Sequence, residues 1–110
     1  MNIGSREIEE LLLGHPDVRD VAVVAFPEER LGEIACACVI PSALNSPPDL
    51  ASLVAYLRDH HRLAVQKLPE RLWIVDAFPM TPSGKVQKHL LRAKAAAALL
   101  QPTRSSAATL

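Results

Sequence analysis

The sequence predicts an α+β domain in which a three-stranded sheet is covered by about three helices, in the order α-β-β-α-β-α. Its 110 residues are the size of one domain, and a hydrophobic content of 49% is ordinary for a globular fold. Segments with helical periodicity are interspersed with runs rich in β-branched and small apolar residues. Neither an internal repeat nor an internal linker is evident.

The first helix is expected to begin near Ser5, whose hydroxyl can cap it. Ile8, Leu11 and Leu12 follow an i, i+3, i+4 spacing and form one apolar face. Gly14, together with the proline two residues later, predicts where this helix ends.

Two strands are predicted next, over residues 18–26 and 33–40, with a polar turn at residues 27–32. The first run is nearly all apolar, which is typical of a strand covered on both faces. So short a connection favours an antiparallel pair. Alternation in the second strand places Ile34, Cys36, Cys38 and Ile40 on one face and Ala35, Ala37 and Val39 on the other.

A second helix is predicted to start at Ser46 as its cap, with Pro47 at the first helical position and Asp49 three residues after the cap. It should end around residues 63–67, before Pro69. One face of this helix is expected to contain Leu50, Leu53, Val54, Leu57 and His61.

The remaining elements are a third strand over residues 71–76 and a helix of strong helix formers over residues 88–100. Between them, residues 78–84 contain two prolines and a glycine, so they cannot form a regular element. The predicted domain spans residues 1–100, and residues 101–110 are expected to form a flexible tail.

Charge is unevenly distributed along a chain whose formal net charge is zero. All 12 acidic residues lie within residues 1–76, whereas residues 77–110 contain none. The bases of this last part are Lys85, Lys88, Arg92, Lys94 and Arg104. Nucleic-acid binding is not expected, because no aromatic residues interleave with these bases. The sequence has neither an apolar run long enough to span a bilayer nor a signal peptide, and we expect a cytoplasmic protein.

The cysteines and histidines do not form a metal-binding pattern. Cys36 and Cys38 stand two residues apart in an apolar run, and we interpret them as small core residues rather than as a redox pair or metal ligands. No zinc-like spacing relates these thiols to the histidines, which are His15, His60, His61 and His89.

The most unusual segment is residues 79–85, Pro-Met-Thr-Pro-Ser-Gly-Lys. Prolines restrict φ and glycine permits a tight backbone path, so the segment should present Lys85 on a projecting loop ahead of a basic helix. Such a cation can bind a phosphate or a carboxylate. The alternative from the residues alone is an ordinary turn with a solvated lysine.

Several stretches of the chain, in a fixed order, carry recognisable motifs. They are residues 2–10, 15–18, 21–24, 27–29, 32–33, 63–64 with Lys67 and Pro69, and 78–88. Together these stretches resemble motifs of the adenylate-forming superfamily, which includes acyl-CoA synthetases, beetle luciferases and peptide-synthetase adenylation domains. The resemblance runs over residues 1–92, with Gln66 where the family usually has tyrosine and Met80 where arginine is common.

The resemblance implies a role for individual residues. Lys85 matches the catalytic lysine that contacts the acid's carboxylate and the reacting phosphate during adenylation, and its contribution would be electrostatic. The residues expected to support its loop are Pro82, Ser83 and Gly84.

Residues Asn2, Ile3 and Gly4 match the segment that lies beside the tunnel for the thiol arm of CoA after the domain rotates, although a simple lead-in to the first helix fits them equally well. Lys88 and Arg92 could meet phosphates of CoA, but solvated helix charges are the favoured interpretation.

The resemblance also implies that this is the C-terminal lid domain of an ATP-dependent acid–CoA ligase, most like bacterial ligases for fatty or alicyclic acids. ATP with Mg²⁺, CoA and a carboxylic acid would be used by a longer protein with an upstream adenylate-binding domain, and the 110-residue chain alone would bind no cofactor tightly and be inactive. The alternative is a free-standing, non-catalytic binding module, which a genuine start at Met1 would favour.

Overall fold

A computed structural model describes residues 5–28, 32–61 and 68–100, and within them the predicted order of elements is confirmed. The helices and strands are α1 (Ser5–Leu12), β1 (Val18–Glu28), β2 (Gly32–Pro41), α2 (Leu50–His61), β3 (Arg71–Ile74) and α3 (Lys88–Leu100). Asn2, Ile3 and Gly4, the predicted end of the second helix and the predicted tail lie outside the described residues.

The three strands form one mixed sheet in the order β1-β2-β3. β1 and β2 are antiparallel, as predicted, whereas β2 and β3 are parallel. A parallel neighbour requires a crossover connection, and α2 provides it. In the order β1-β2-β3, β1 lies at an edge of the sheet.

The sheet is covered on both faces, which confirms the prediction made from the apolar strands. α1 and α2 pack on one face and α3 packs on the other, and each face has its own core cluster. Alternation along β2 is also confirmed, because Ala35, Ala37 and Val39 lie in the first cluster and Ile34, Cys36 and Cys38 in the second.

The two cysteines are free and fully buried beneath α3, so their interpretation as core residues is confirmed. Hydrogen bonding between the two thiols, together with burial, raises the pKa of Cys38 well above its ordinary value. A thiol kept neutral in this way packs as a small apolar side chain.

The first two strands extend further than predicted. Pro27 pairs with Glu33 and Glu28 pairs with Gly32, so Pro27, Glu28 and Gly32 belong to the strands and not to the predicted turn. Proline has no amide hydrogen to donate to a neighbouring strand. It is tolerated at position 27 because β1 is an edge strand, with no neighbouring strand on its outer side. The third strand is shorter than predicted and ends at Ile74.

The predicted cap of the second helix was wrong. The carboxylate Oδ1 of Asp49 accepts the amide of Ser52 at 2.8 Å, immediately before α2 begins at Leu50. Ser46 instead donates its own amide to the carbonyl of Ala43 at 3.0 Å in a preceding turn. A capping side chain must stand next to the first helical residue, and only Asp49 does so.

The loop after α1 is anchored by His15, which is only 7% exposed. Its Nδ1 accepts the amide of Asp17 at 3.0 Å, so Nε2 bears the proton and donates to the hydroxyl of Ser52, 2.9 Å away. The His15 ring also meets the Tyr56 ring edge to face, with centroids 5.1 Å apart. One neutral imidazole thereby joins the end of α1 to α2.

Within the described residues, no helix combines the length and the apolar character needed to cross a membrane.

Candidate functional site

The segment that contains Lys85 folds as a short, closed loop between β3 and α3. Gln87 donates its amide to the carbonyl of Pro79 at 2.8 Å, and Met80 and Val86 form an isolated antiparallel bridge. These contacts close the neck of the loop. Residues 79–87, called the lysine loop below, thus form neither helix nor regular strand, as the prolines and glycine predicted.

The tip of the lysine loop is ordered by Thr81. Its hydroxyl lies 2.9 Å from the Ser83 hydroxyl and accepts the amide of Lys85 at 3.1 Å. Its amide donates to the Lys85 carbonyl at 2.8 Å, and its carbonyl accepts the amide of Gly84 at 2.9 Å. Of the predicted supporting residues, Ser83 and Gly84 therefore take part in this network, and exposed Pro82 lies between them and Thr81. The role of Thr81 was not predicted, although a Thr-Pro-Ser-Gly sequence is a turn signal that could have indicated it.

The base of the lysine loop is fixed to the core. Phe78 is 9% exposed and belongs to the cluster beneath α3, where Leu91 is also buried and Val86 packs against them. Leu91 in addition donates its amide to the carbonyl of Gln87. The lysine loop is thus attached to the sheet at one end and to the first turn of α3 at the other.

The charge of Lys85 is unpaired in the part of the chain that the structure describes, where its ammonium group makes neither an ion pair nor a hydrogen bond. Two nearby bases, Lys88 and Arg92, differ from Lys85 because each forms an ion pair. Lys88 Nζ lies 2.5 Å from Glu9 Oε2, and Arg92 Nη2 lies 2.7 Å from Glu33 Oε2. Both were interpreted as solvated helix charges, and each is half exposed but paired with an acid from another element.

Lys85 lies at a surface cleft of about 660 Å³ between α1 and the lysine loop. β1 contributes apolar Val21 and Ala22, and most other lining residues are polar or charged. Among these are Arg6, Glu9, Thr81, Lys85, Lys88 and His89. An exposed, unpaired ammonium group beside an open cleft can contact an anion that is presented by another domain or molecule.

Gly84 offers a test of the loop geometry, because its φ of +90° is a conformation that side chains with a Cβ rarely adopt. A Cβ added at this position would have nothing within 4 Å, so Gly84→Ala should cost about 1 kcal/mol through backbone strain alone. Urea unfolding of the 110-residue chain measures this loss.

Gly32 is a matched control, with a φ of +84° and equally open surroundings. Gly32→Ala should cost a similar free energy of unfolding. Only Gly84→Ala should shift the NMR amide resonances of Thr81 and Lys85. If both variants shift them, the tip of the lysine loop is not an independent unit.

The fold and the site define a small α+β domain that presents an exposed lysine on an ordered loop. Residues 7–85 match the sequence model of the family described as AMP-binding enzyme C-terminal domain. The chain therefore belongs to this family, and the matched region ends at Lys85 itself.

Curated proteins and solved structures agree with this assignment. The chain is 45% identical over 91 residues to the medium-chain fatty-acid–CoA ligase of Escherichia coli K12, covering 83% of this chain and 16% of that protein. A fatty acyl CoA synthetase from Mycobacterium tuberculosis superposes with a TM-score of 0.73 at 38% identity, over 84% of this chain and 18% of that one. ATP-bound MatB from Rhodopseudomonas palustris gives a TM-score of 0.76 at 30% identity, over 87% and 18% respectively. The chain thus spans less than a fifth of the length of these relatives.

Proposed function

We propose that the chain is the C-terminal domain of an ATP-dependent acid–CoA ligase and that Lys85 is its catalytic residue. The observation that supports this most strongly is the Lys85 ammonium group, which is held on an ordered loop beside an open cleft and has no partner among the described residues. A lysine required only for stability would be expected to have a partner, as Lys88 and Arg92 do. The names of the relatives, which include two acyl-CoA ligases, indicate the reaction class.

In the proposed reaction, a carboxylate oxygen of the acid attacks the α-phosphorus of ATP. The new phosphorus–oxygen bond forms as the bond to pyrophosphate breaks, and negative charge accumulates on the leaving group. The ammonium group of Lys85 would contact the carboxylate and the reacting phosphate and stabilise this charge, since such transfers depend mainly on positioning and electrostatics.

The proposed partner is an adenylate-binding domain that supplies the sites for ATP with Mg²⁺ and for the acid. The exposure of Lys85 supports this division, because the chain itself provides the cation but does not enclose it. Rotation of the C-terminal domain would then move Lys85 away and bring the segment of Asn2, Ile3 and Gly4 to the thiol arm of CoA. Nucleic acid has no part in this function, and the expected compartment is the cytoplasm.

The test compares the 110-residue chain with a longer protein that includes the region encoded upstream. The longer protein should catalyse acid-dependent ATP–pyrophosphate exchange and, with CoA, thioester formation from a panel of fatty, alicyclic and aromatic acids. The isolated chain should do neither. Thioester formation by the isolated chain would contradict the proposed division of labour. A stop codon directly upstream, or no exchange with any acid, would instead support a free-standing binding module.

A further inference from the structure

Glu9 of α1 binds two groups that belong to different parts of the fold. Its Oε2 accepts the backbone amide of Val23 in β1 at 2.8 Å and lies 2.5 Å from Nζ of Lys88, the first residue of α3. This single carboxylate oxygen therefore joins the first helix, the edge of the sheet and the start of the last helix.

The geometry distinguishes this contact from an ordinary surface ion pair. The Glu9 side chain is only 20% exposed, whereas that of Glu33 in the other inter-element pair is 53% exposed. β1 is an edge strand, and the Val23 amide points away from the sheet toward Glu9. Because that amide has no strand to bind, it holds the carboxylate in place, and the carboxylate in turn holds Lys88.

Lys88 is separated from Lys85 by two residues and directly follows Gln87, which closes the neck of the lysine loop. Besides its backbone hydrogen bond to the first turn of α3, the loop has side-chain attachments of two kinds. Phe78 and Val86 attach it to the core cluster beneath α3 through apolar packing. The Glu9–Lys88 pair attaches it to α1 on the side of the cleft. Apolar contacts are non-directional, so the charged pair is the attachment that defines the angle of the loop relative to α1.

The same pair also shapes the charge of the cleft. Glu9, Lys85 and Lys88 all line it, and Glu9 neutralises the charge of Lys88. Since no described residue neutralises Lys85, an anion that enters the cleft is attracted to Lys85 in preference to Lys88.

We propose that Glu9 is a positioning residue for Lys85: it fixes the lysine loop through Lys88 and neutralises the charge of Lys88 beside Lys85. This inference rests on the proposed function of Lys85. It assigns Glu9 no contact with a substrate.

The variant that tests it is Glu9→Gln in the longer, ligase-competent protein. Glutamine keeps an oxygen that can accept the Val23 amide but loses the charge that binds Lys88. We expect the kcat of adenylate formation to fall about tenfold, because misplacing a catalytic group by about 1 Å costs up to about a hundredfold. The KM for ATP and the rate of thioester formation from supplied acyl-adenylate should be unchanged.

Lys88→Gln should reproduce this loss, and the double variant should be no slower than either single variant, because all three remove the same interaction. Additive losses would overturn the inference. Glu33→Gln is the matched control, since it removes the ion pair between Arg92 of α3 and Glu33, which lies outside the lysine loop. If it slows adenylation as much as Glu9→Gln, general docking of α3 and not positioning of Lys85 is responsible.

A second measurement separates this inference from the proposed function. In NMR spectra of the 110-residue chain, Glu9→Gln should shift the amide resonances of Thr81, Gly84 and Lys85, and Glu33→Gln should leave them unchanged. Unshifted resonances in Glu9→Gln would overturn the positioning role, even if activity fell. If Lys85→Ala proved fully active while Glu9→Gln shifted the loop, the function proposed for Lys85 would fail and the structural link from Glu9 would stand.

Discussion

Lys85→Ala in the longer protein is expected to lower the rate of acyl-adenylate formation about 100- to 1,000-fold, the usual effect of removing one preorganised group that stabilises transition-state charge. The ammonium group makes no ion pair or hydrogen bond in the described part of the chain, so its removal should not change the free energy of unfolding measurably. Thioester formation from supplied acyl-adenylate should be largely retained. Single-turnover measurement of both half-reactions checks the result.

Lys94→Ala is a suitable control, because Lys94 is an exposed lysine of α3 that does not line the cleft. Its adenylation rate should equal that of the unmodified protein. Lys85→Arg adds a test of geometry, since a planar guanidinium cannot replace a compact ammonium group at a close contact. Equal loss of both half-reactions in Lys85→Ala would show that the role assigned to this lysine is wrong.

The largest effect on stability is expected from Phe26→Ala, with a loss of about 3–5 kcal/mol in the free energy of unfolding. Phe26 is 1% exposed in the cluster beneath α3, and the Arg71 guanidinium lies 5.0 Å from its ring centroid. The substitution leaves a cavity and removes this cation–π contact. Urea unfolding of the 110-residue chain, followed by circular dichroism, measures the change.

Phe26→Leu should cost much less, because it retains most of the apolar volume, and the two variants together separate the cavity from the aromatic contact. Leu44→Ala is the surface control: Leu44 is 63% exposed, and its truncation should change stability by no more than about 0.5 kcal/mol. A loss below about 1 kcal/mol in Phe26→Ala would show that the cluster beneath α3 contributes little to the fold.

Local sequence rules predicted much of the architecture, and their failures have physical causes. Alternation in β2 assigned each residue to a face, because the side-chain period of a strand is two in any fold. The cap of α2 was misplaced because Ser46 and Asp49 are both good capping residues, and the choice depends on which residue directly precedes the helix. The parallel pairing of β3 could not be read from its four residues, since it depends on where α2 returns the chain.

In the functional site, too, some features follow from the local sequence and others depend on the tertiary structure. Pro79, Pro82 and Gly84 by themselves determined that a lysine would be presented on an irregular loop, because their backbone restrictions are local. Only the tertiary structure decided which bases are neutralised. Lys88 meets Glu9 and Arg92 meets Glu33 across 79 and 59 positions of the chain, respectively, and such pairs depend on how the helices pack on the sheet. Lys85 is left unpaired because none of the described acids is brought to it, and that is a property of the fold rather than of its neighbours in the sequence.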